Sequence, residues 1–177
     1  MTRRLCSLAV ILLITSSPAA AGDKFWHTLA DVGKYGLPLG AAGYSLYEKD
    51  TPGLIDLAET GALTVGATEG LKYAVDERRP NGGKHSFPSG HTAIAFAGAG
   101  YLQARYGWQI GLPAELFAGL VGYSRVHTRD HHWYDVVAGA AIGEGSAFLF
   151  TRRLNDRVRF SAYGDTAGGG LGLAMRF

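Results

Sequence analysis

Three groups of residues in this chain have the types and spacing to act on an anion. Lys72 is followed, after six residues, by Arg79-Pro80; Pro88-Ser89-Gly90-His91 comes next; and Ser124-Arg125 precedes His131 and, four positions on, Asp135. If a helix begins there, His131 and Asp135 share one face a turn apart. A carboxylate on one imidazole nitrogen fixes the tautomer and raises the basicity of the other, which suits a nucleophilic nitrogen. Pro88-Ser89-Gly90 stands before an apolar stretch, where the free amides of a helix N-terminus favour phosphate and a glycine lets it approach the backbone. His91 follows at once, an ionisable group from which a leaving oxygen can take a proton. Lys72, Arg79 and Arg125 add fixed positive charge. Phosphoryl transfer depends on such charge and on positioning more than on elaborate covalent chemistry, and the planar arginine fork can hold two oxygens at once.

In order and spacing, the three groups resemble the three-part motif of the type 2 phosphatidic acid phosphatase superfamily, which includes bacterial acid phosphatases and vanadium haloperoxidases. The resemblance spans Lys72–Asp135 and fills every defining position. It implies an all-α fold, a compact bundle of about five helices. It also implies roles. His131 attacks phosphorus to form a phosphohistidine and is oriented by Asp135. His91 protonates the leaving alkoxide and later activates water. Lys72, Arg79, Arg125, Ser89 and the Gly90 amide bind the phosphate oxygens. No metal or cofactor is required, and vanadate, which mimics phosphate, is expected to inhibit. The implied substrates are phosphate monoesters or lipid phosphates and pyrophosphates.

Each group alone has a plainer reading: a solvated helix end, an ordinary turn, and a surface i,i+4 pair worth little. Their occurrence together and in order is what argues for a site. A zinc-dependent hydrolase is a competing reading, because His127, His131 and His132 with Asp130 and Asp135 crowd donors together and His127/His131 has helical ligand spacing. Arg125 and Arg129 in the same stretch would repel the cation. A haloperoxidase would hold vanadate in the same pocket, although those enzymes are usually much larger. A non-catalytic envelope module would have no reason to keep the charged set intact. Around this core, His85, His127 and His132 are expected to support the site or touch substrate. Arg78 and Arg129 read as solvated or rim charges, and Trp133 and Tyr134 as helix packing.

The elements that must position these residues follow from the rest of the chain. Its 177 residues suit one domain, and a 47% apolar content excludes disorder. Residues 1–21 read as a secretory signal, with Arg3 and Arg4 ahead of an apolar run and Ala19-Ala20-Ala21 at its end. The 17 Lys and Arg against 15 Asp and Glu include those two arginines, so the rest of the chain is balanced and a general nucleic-acid binder is excluded. Cys6, the one cysteine, falls in the same leader, leaving packing alone to hold the fold. Apolar residues recur at three and four positions over about Phe25–Tyr47, Leu54–Val75, His91–Tyr106, Leu112–Val126 and His132–Arg152. The helical phosphatase domain is thus expected over 22–153. Residues 154–177 alternate with period two and are expected to form a hairpin that docks on the helices or on a second copy. The 26 glycines, many inside the helical stretches (Gly61, Gly66, Gly70, Gly98, Gly100, Gly139, Gly143), suggest closely approaching backbones. Acidic residues interrupt most apolar runs, so an exported protein of the periplasm or cell envelope, soluble or peripherally attached, is expected. Counting the leader with five later segments gives the alternative, an inner-membrane protein with six short spans.

Overall fold

In the computed structural model, the described residues are 22–154, 158–165 and 168–175. The leader expected over residues 1–21 lies outside them. Five helices follow in order: α1 (Asp23–Tyr47), α2 (Thr51–Ala74), α3 (Gly90–Tyr106), α4 (Trp108–His127) and α5 (Trp133–Phe150). Each matches an expected segment to within a few residues. Asp50 starts α2 by accepting the Gly53 amide at 3.0 Å, with proline in the first turn where no N–H is needed. Gly107 closes α3 and opens α4 by itself. Its φ of +91° lies in the left-handed region that glycine tolerates, so one residue turns the chain.

α3 is the central helix, packed against the other four, while α1 also lies on α4 and α2 on α5. Its sequence explains this position. Ala93, Ala95, Ala97, Gly98, Ala99 and Gly100 are all buried, and such small residues let neighbouring backbones come close. A Cβ on Gly139 would sit 2.5 Å from the Ser89 carbonyl oxygen, and one on Gly143 would run into the Ala93 carbonyl. α5 therefore runs directly against the α3 backbone. The same expectation does not hold for Gly61, Gly66 and Gly70: they have nothing within 4 Å, because that face of α2 has no packed neighbour. The core proper joins Leu37 and Ala41 of α1, Ala95, Ala99 and Tyr101 of α3, and Ala118 and Val121 of α4.

At the C-terminal end of α3, Arg105 is buried against Asp50. Its Nε lies 2.7 Å and its Nη2 2.5 Å from the two carboxylate oxygens, and the Tyr106 hydroxyl adds a 2.9 Å bond to the same group. Nη1 reaches Asp56 at 3.2 Å and the Arg152 carbonyl at 2.5 Å. This cluster ties the α1–α2 turn, α3 and the chain after α5 together. Beyond the helices, β1 (Val158–Asp165) and β2 (Gly168–Met175) pair antiparallel, from Val158 opposite Met175 to Asp165 opposite Gly168.

Candidate active site

The alternation of helix directions brings the C-termini of α2 and α4 and the N-termini of α3 and α5 to one end of the bundle. A cleft of about 210 Å³ opens there. α2 supplies Val65, Thr68, Glu69 and Lys72; the loop after it supplies Arg79; α3 supplies Gly90, His91 and Ile94; Arg125 and His131 come from the end of α4 and the turn beyond. Six of the eight residues expected to form the site thus line one cavity. The other two stand behind it. Ser89 is fully buried at the N-cap of α3, where its hydroxyl pairs with Thr92 at 2.9 Å and its carbonyl receives the Ala93 amide. Asp135 is fully buried behind His131.

His131 does not share a helix with Asp135, as the i,i+4 spacing suggested. It lies in the turn before α5, whose N-cap is His132, and Asp135 is the third residue of that helix. One carboxylate oxygen, Oδ2, accepts the His132 amide at 2.9 Å and the Ser86 hydroxyl at 2.5 Å. His131 Nδ1 stands 3.5 Å from the same oxygen, close but short of a hydrogen bond, and has no other partner among the described residues. Catalytic hydrogen bonds are often this long before a ligand arrives. Nε2 is left as the nitrogen free to meet a ligand.

The electrostatics of the cleft are one-sided. His131 is 2% exposed, and burial, together with the charges of Arg79, Lys72 and Arg125, pushes its pKa down to about 4 against the opposing pull of Asp135. The imidazole is therefore neutral over the physiological range, with its lone pair available. Burial, then Arg79, also lowers Lys72. Lys72 Nζ donates only to backbone carbonyls, Pro88 at 2.9 Å and His85 at 3.3 Å; the His85 ring returns the contact on the Lys72 carbonyl at 2.9 Å. Arg79 bonds through Nε to the Lys84 carbonyl at 3.2 Å. Neither cation has a carboxylate partner among the described residues. Arg125 does: its Nη2 lies 2.9 Å from Asp130, which also accepts from Asn81 and Thr128 and so fastens the Arg79 loop to the His131 turn. Burial works to raise Asp135, and the Ser86, His132 and imidazole contacts outweigh it, so the carboxyl stays below its ordinary value.

The donor set of the competing zinc reading does not assemble among the described residues. His127 is exposed and its ring packs against Trp26 and Tyr123, away from His131. Among the described residues, the groups that come within metal-ligand distance are Glu77, His132 and Asp135, a set that omits His127 and His131. Arg78 and Arg129 are exposed, in keeping with rim charges. Trp133 is 68% exposed rather than packed, because it is the first residue of α5 and has no neighbouring helix there. Tyr134 stacks on His132 and donates to Glu77.

α1 was expected as a helix but not as part of the site. His27, Asp31 and Lys34 follow one another at helical spacing beside the buried stripe Trp26, Ala30, Gly33 and Leu37. Lys34 lines the cleft, Asp31 bonds His91 at 2.9 Å, and His27 lies 3.4 Å from both Arg125 and Asp130. The i, i+4, i+7 polar stripe was the available signal.

Known proteins resemble this chain in sequence and in fold. The model of the PAP2 superfamily matches residues 64–159. The lipid A 4'-phosphatase of Helicobacter pylori (strain J99) is 34% identical over 152 residues, which is 79% of this chain and 76% of that protein. Lipid phosphate phosphatase 2 of Arabidopsis thaliana is 44% identical over 75 residues, 34% of this chain and 26% of its own length. Among solved structures, LpxE of Aquifex aeolicus superposes with a TM-score of 0.64 at 27% identity, over 76% of this chain and 87% of that one. The transmembrane PAP2 type phosphatidylglycerolphosphate phosphatase from Bacillus subtilis gives 0.59 over 77% of each chain; at 24% identity it speaks to the fold alone. With identity of this order running through most of both chains, and the family model reaching from α2 past α5, this chain belongs to the PAP2 superfamily and is a phosphatase.

Proposed function

We propose that the protein is a metal-independent phosphatase of lipid phosphates or pyrophosphates that works through a phosphohistidine on His131. The observation that carries this reading is a buried, neutral imidazole in a cleft with Lys72, Arg79 and Arg125, two of which have no carboxylate partner among the described residues. Unpaired cations in a half-buried cleft are costly without an anion to balance them. The phosphate oxygens sit among the three cations and the free amide of Gly90. His131 Nε2 attacks phosphorus while the bond to the leaving oxygen breaks, and His91 gives that oxygen its proton. The positive charge left on the phosphorylated ring is balanced through Nδ1 by Asp135. In the second half, His91, now neutral, takes a proton from water. The hydroxide attacks phosphorus, releases inorganic phosphate and restores the His131 ring.

The lipid assignment draws on the names of the relatives and on the walls of the cleft. Val65 and Ile94 line it beside the charges, and α1 and α2 carry further exposed apolar residues, among them Val32, Tyr35, Leu39, Ile55 and Leu63. Such a flank suits an acyl chain next to a charged headgroup. Among the described residues, no helix is long and apolar enough to cross a membrane. We place the protein, exported, against the lipid surface of the cell envelope.

The test is phosphate release by the purified protein in detergent from phosphatidate, phosphatidylglycerol phosphate and undecaprenyl pyrophosphate, beside a small aryl phosphate. Turnover of at least one lipid, unaffected by EDTA and inhibited by vanadate, is expected. Loss to EDTA with recovery on added zinc would overturn the metal-independent reading, and turnover confined to the aryl phosphate would overturn the lipid assignment.

A further inference from the structure

α1 contributes nothing to the three-part motif and lies outside residues 64–159, yet it holds one of the two site histidines. His91 Nε2 lies 2.9 Å from Asp31 Oδ1, a contact between helices sixty positions apart in sequence. His91 Nδ1 has no hydrogen-bond partner among the described residues. We infer that Asp31 is a positioning residue for His91: it takes up Nε2, turns Nδ1 toward the leaving oxygen, and favours the protonated ring that gives that oxygen its proton. The inference rests on the general-acid role given to His91 above.

The surroundings explain why the ring needs such a partner. Burial disfavours its charged form, and Arg125 from α4 and Lys34 from α1 repel it further. Lys72 and Arg79 stand in the same cleft. Glu69 of α2 also faces the cleft, but Asp31 is the carboxylate bonded to the ring. The net balance holds His91 below the usual histidine value, and without Asp31 it would fall further, leaving less of the acid form. Asp31 is itself held low, first by its hydrogen bond to His91, so it stays ionised and able to do this. The arrangement parallels Asp135 and His131 across the cleft, where the carboxylate instead stabilises a nucleophile.

Asp31 is 62% exposed on its side chain, so replacing it leaves the bundle intact. The test compares two probes on the full chain: phosphatidate, whose leaving alkoxide needs a proton, and 4-nitrophenyl phosphate, whose leaving group does not. Asp31→Ala is expected to lower kcat for phosphatidate about 10–100-fold, a part of the roughly 10²–10⁴-fold that a general acid contributes. It is expected to change kcat for the aryl ester by less than about threefold, since proton donation matters little to such a leaving group. The alkaline limb of kcat/KM for phosphatidate should move to lower pH. Asp31→Asn, which keeps an acceptor but not the charge, should recover part of kcat while leaving the limb displaced. Equal losses on both probes, or none, would overturn the inference, provided His91→Ala in the same assay discriminates between them. If His91→Ala does not discriminate, the general-acid role fails and this inference with it.

Discussion

The two ends of α3 carry clusters of the same residue types with opposite balance. At its C-terminal end, Arg105 is met by Asp50, Asp56 and the Arg152 carbonyl, so that all three of its nitrogens are engaged. At its N-terminal end, about 25 Å away along seventeen residues, Lys72 and Arg79 find backbone carbonyls and no carboxylate among the described residues, and Arg125 pairs with Asp130. The first cluster is complete in the folded chain and serves the fold. The second is short of negative charge, and on the proposed reading a phosphate substrate completes it. Position in the sequence does not distinguish them, since both sit at helix ends. The count of partners does.

This contrast can be broken from either side. The largest effect is expected at the closed end. Arg105→Met leaves Asp50 buried without its cation, and loss of one partner of such a pair costs about 3–5 kcal/mol. Denaturant unfolding should show that loss, while kcat of the folded protein stays within about twofold. At the open end, Arg79→Ala should do the reverse. Removing one group that holds the transferring phosphoryl lowers kcat by roughly 10²–10³, with an unchanged or slightly raised midpoint because a like-charge repulsion goes with it. A variant at either end that moved both readouts together would erase the distinction.

Acid should separate the two ends by the pH at which each fails. His131 titrates near 6.5 when unfolded and at about 4 when folded. The unfolded chain therefore binds the proton first. The stability that the neutral ring confers is complete above pH 6.5 and is lost as pH falls toward 4, about 3 kcal/mol in all. His91, also lowered, adds to it in the same direction. Asp50 is held below the ordinary carboxylate value, first by Arg105, so the clamp's contribution persists above pH ~4 and is lost only below it. Unfolding free energies measured from pH 7.5 to 3 should show two successive declines, and His131→Gln should flatten the first and spare the second.

Much of this was legible because it is local. Helix positions followed from apolar spacing and from breaks such as Asp50-Thr51-Pro52-Gly53. The cationic and imidazole residues stood at helix ends in an order that the motif fixes. What escaped the sequence depends on packing between distant segments. Asp31 belongs to the site only because α1 crosses α3. The pairing of the Ser89 hydroxyl with Thr92 is made by the fold of the helix start, where Ser89 is buried. His131 and Asp135 meet across a helix start instead of along a helix, since α5 begins two residues after His131. The open glycines of α2 show the same limit: composition counts glycines, and only the fold says which of them face a neighbour.

The central claim is that His131 carries the phosphoryl group. It is tested most directly by rapid acid-free quenching of the enzyme with a ³²P-labelled lipid phosphate, followed by peptide mapping. We expect a transient, acid-labile, base-stable phosphoprotein whose label maps to the His131 peptide and is absent from His131→Ala, which should also lose more than about a thousandfold in kcat. Label on another residue, or near-normal turnover in His131→Ala, would contradict it.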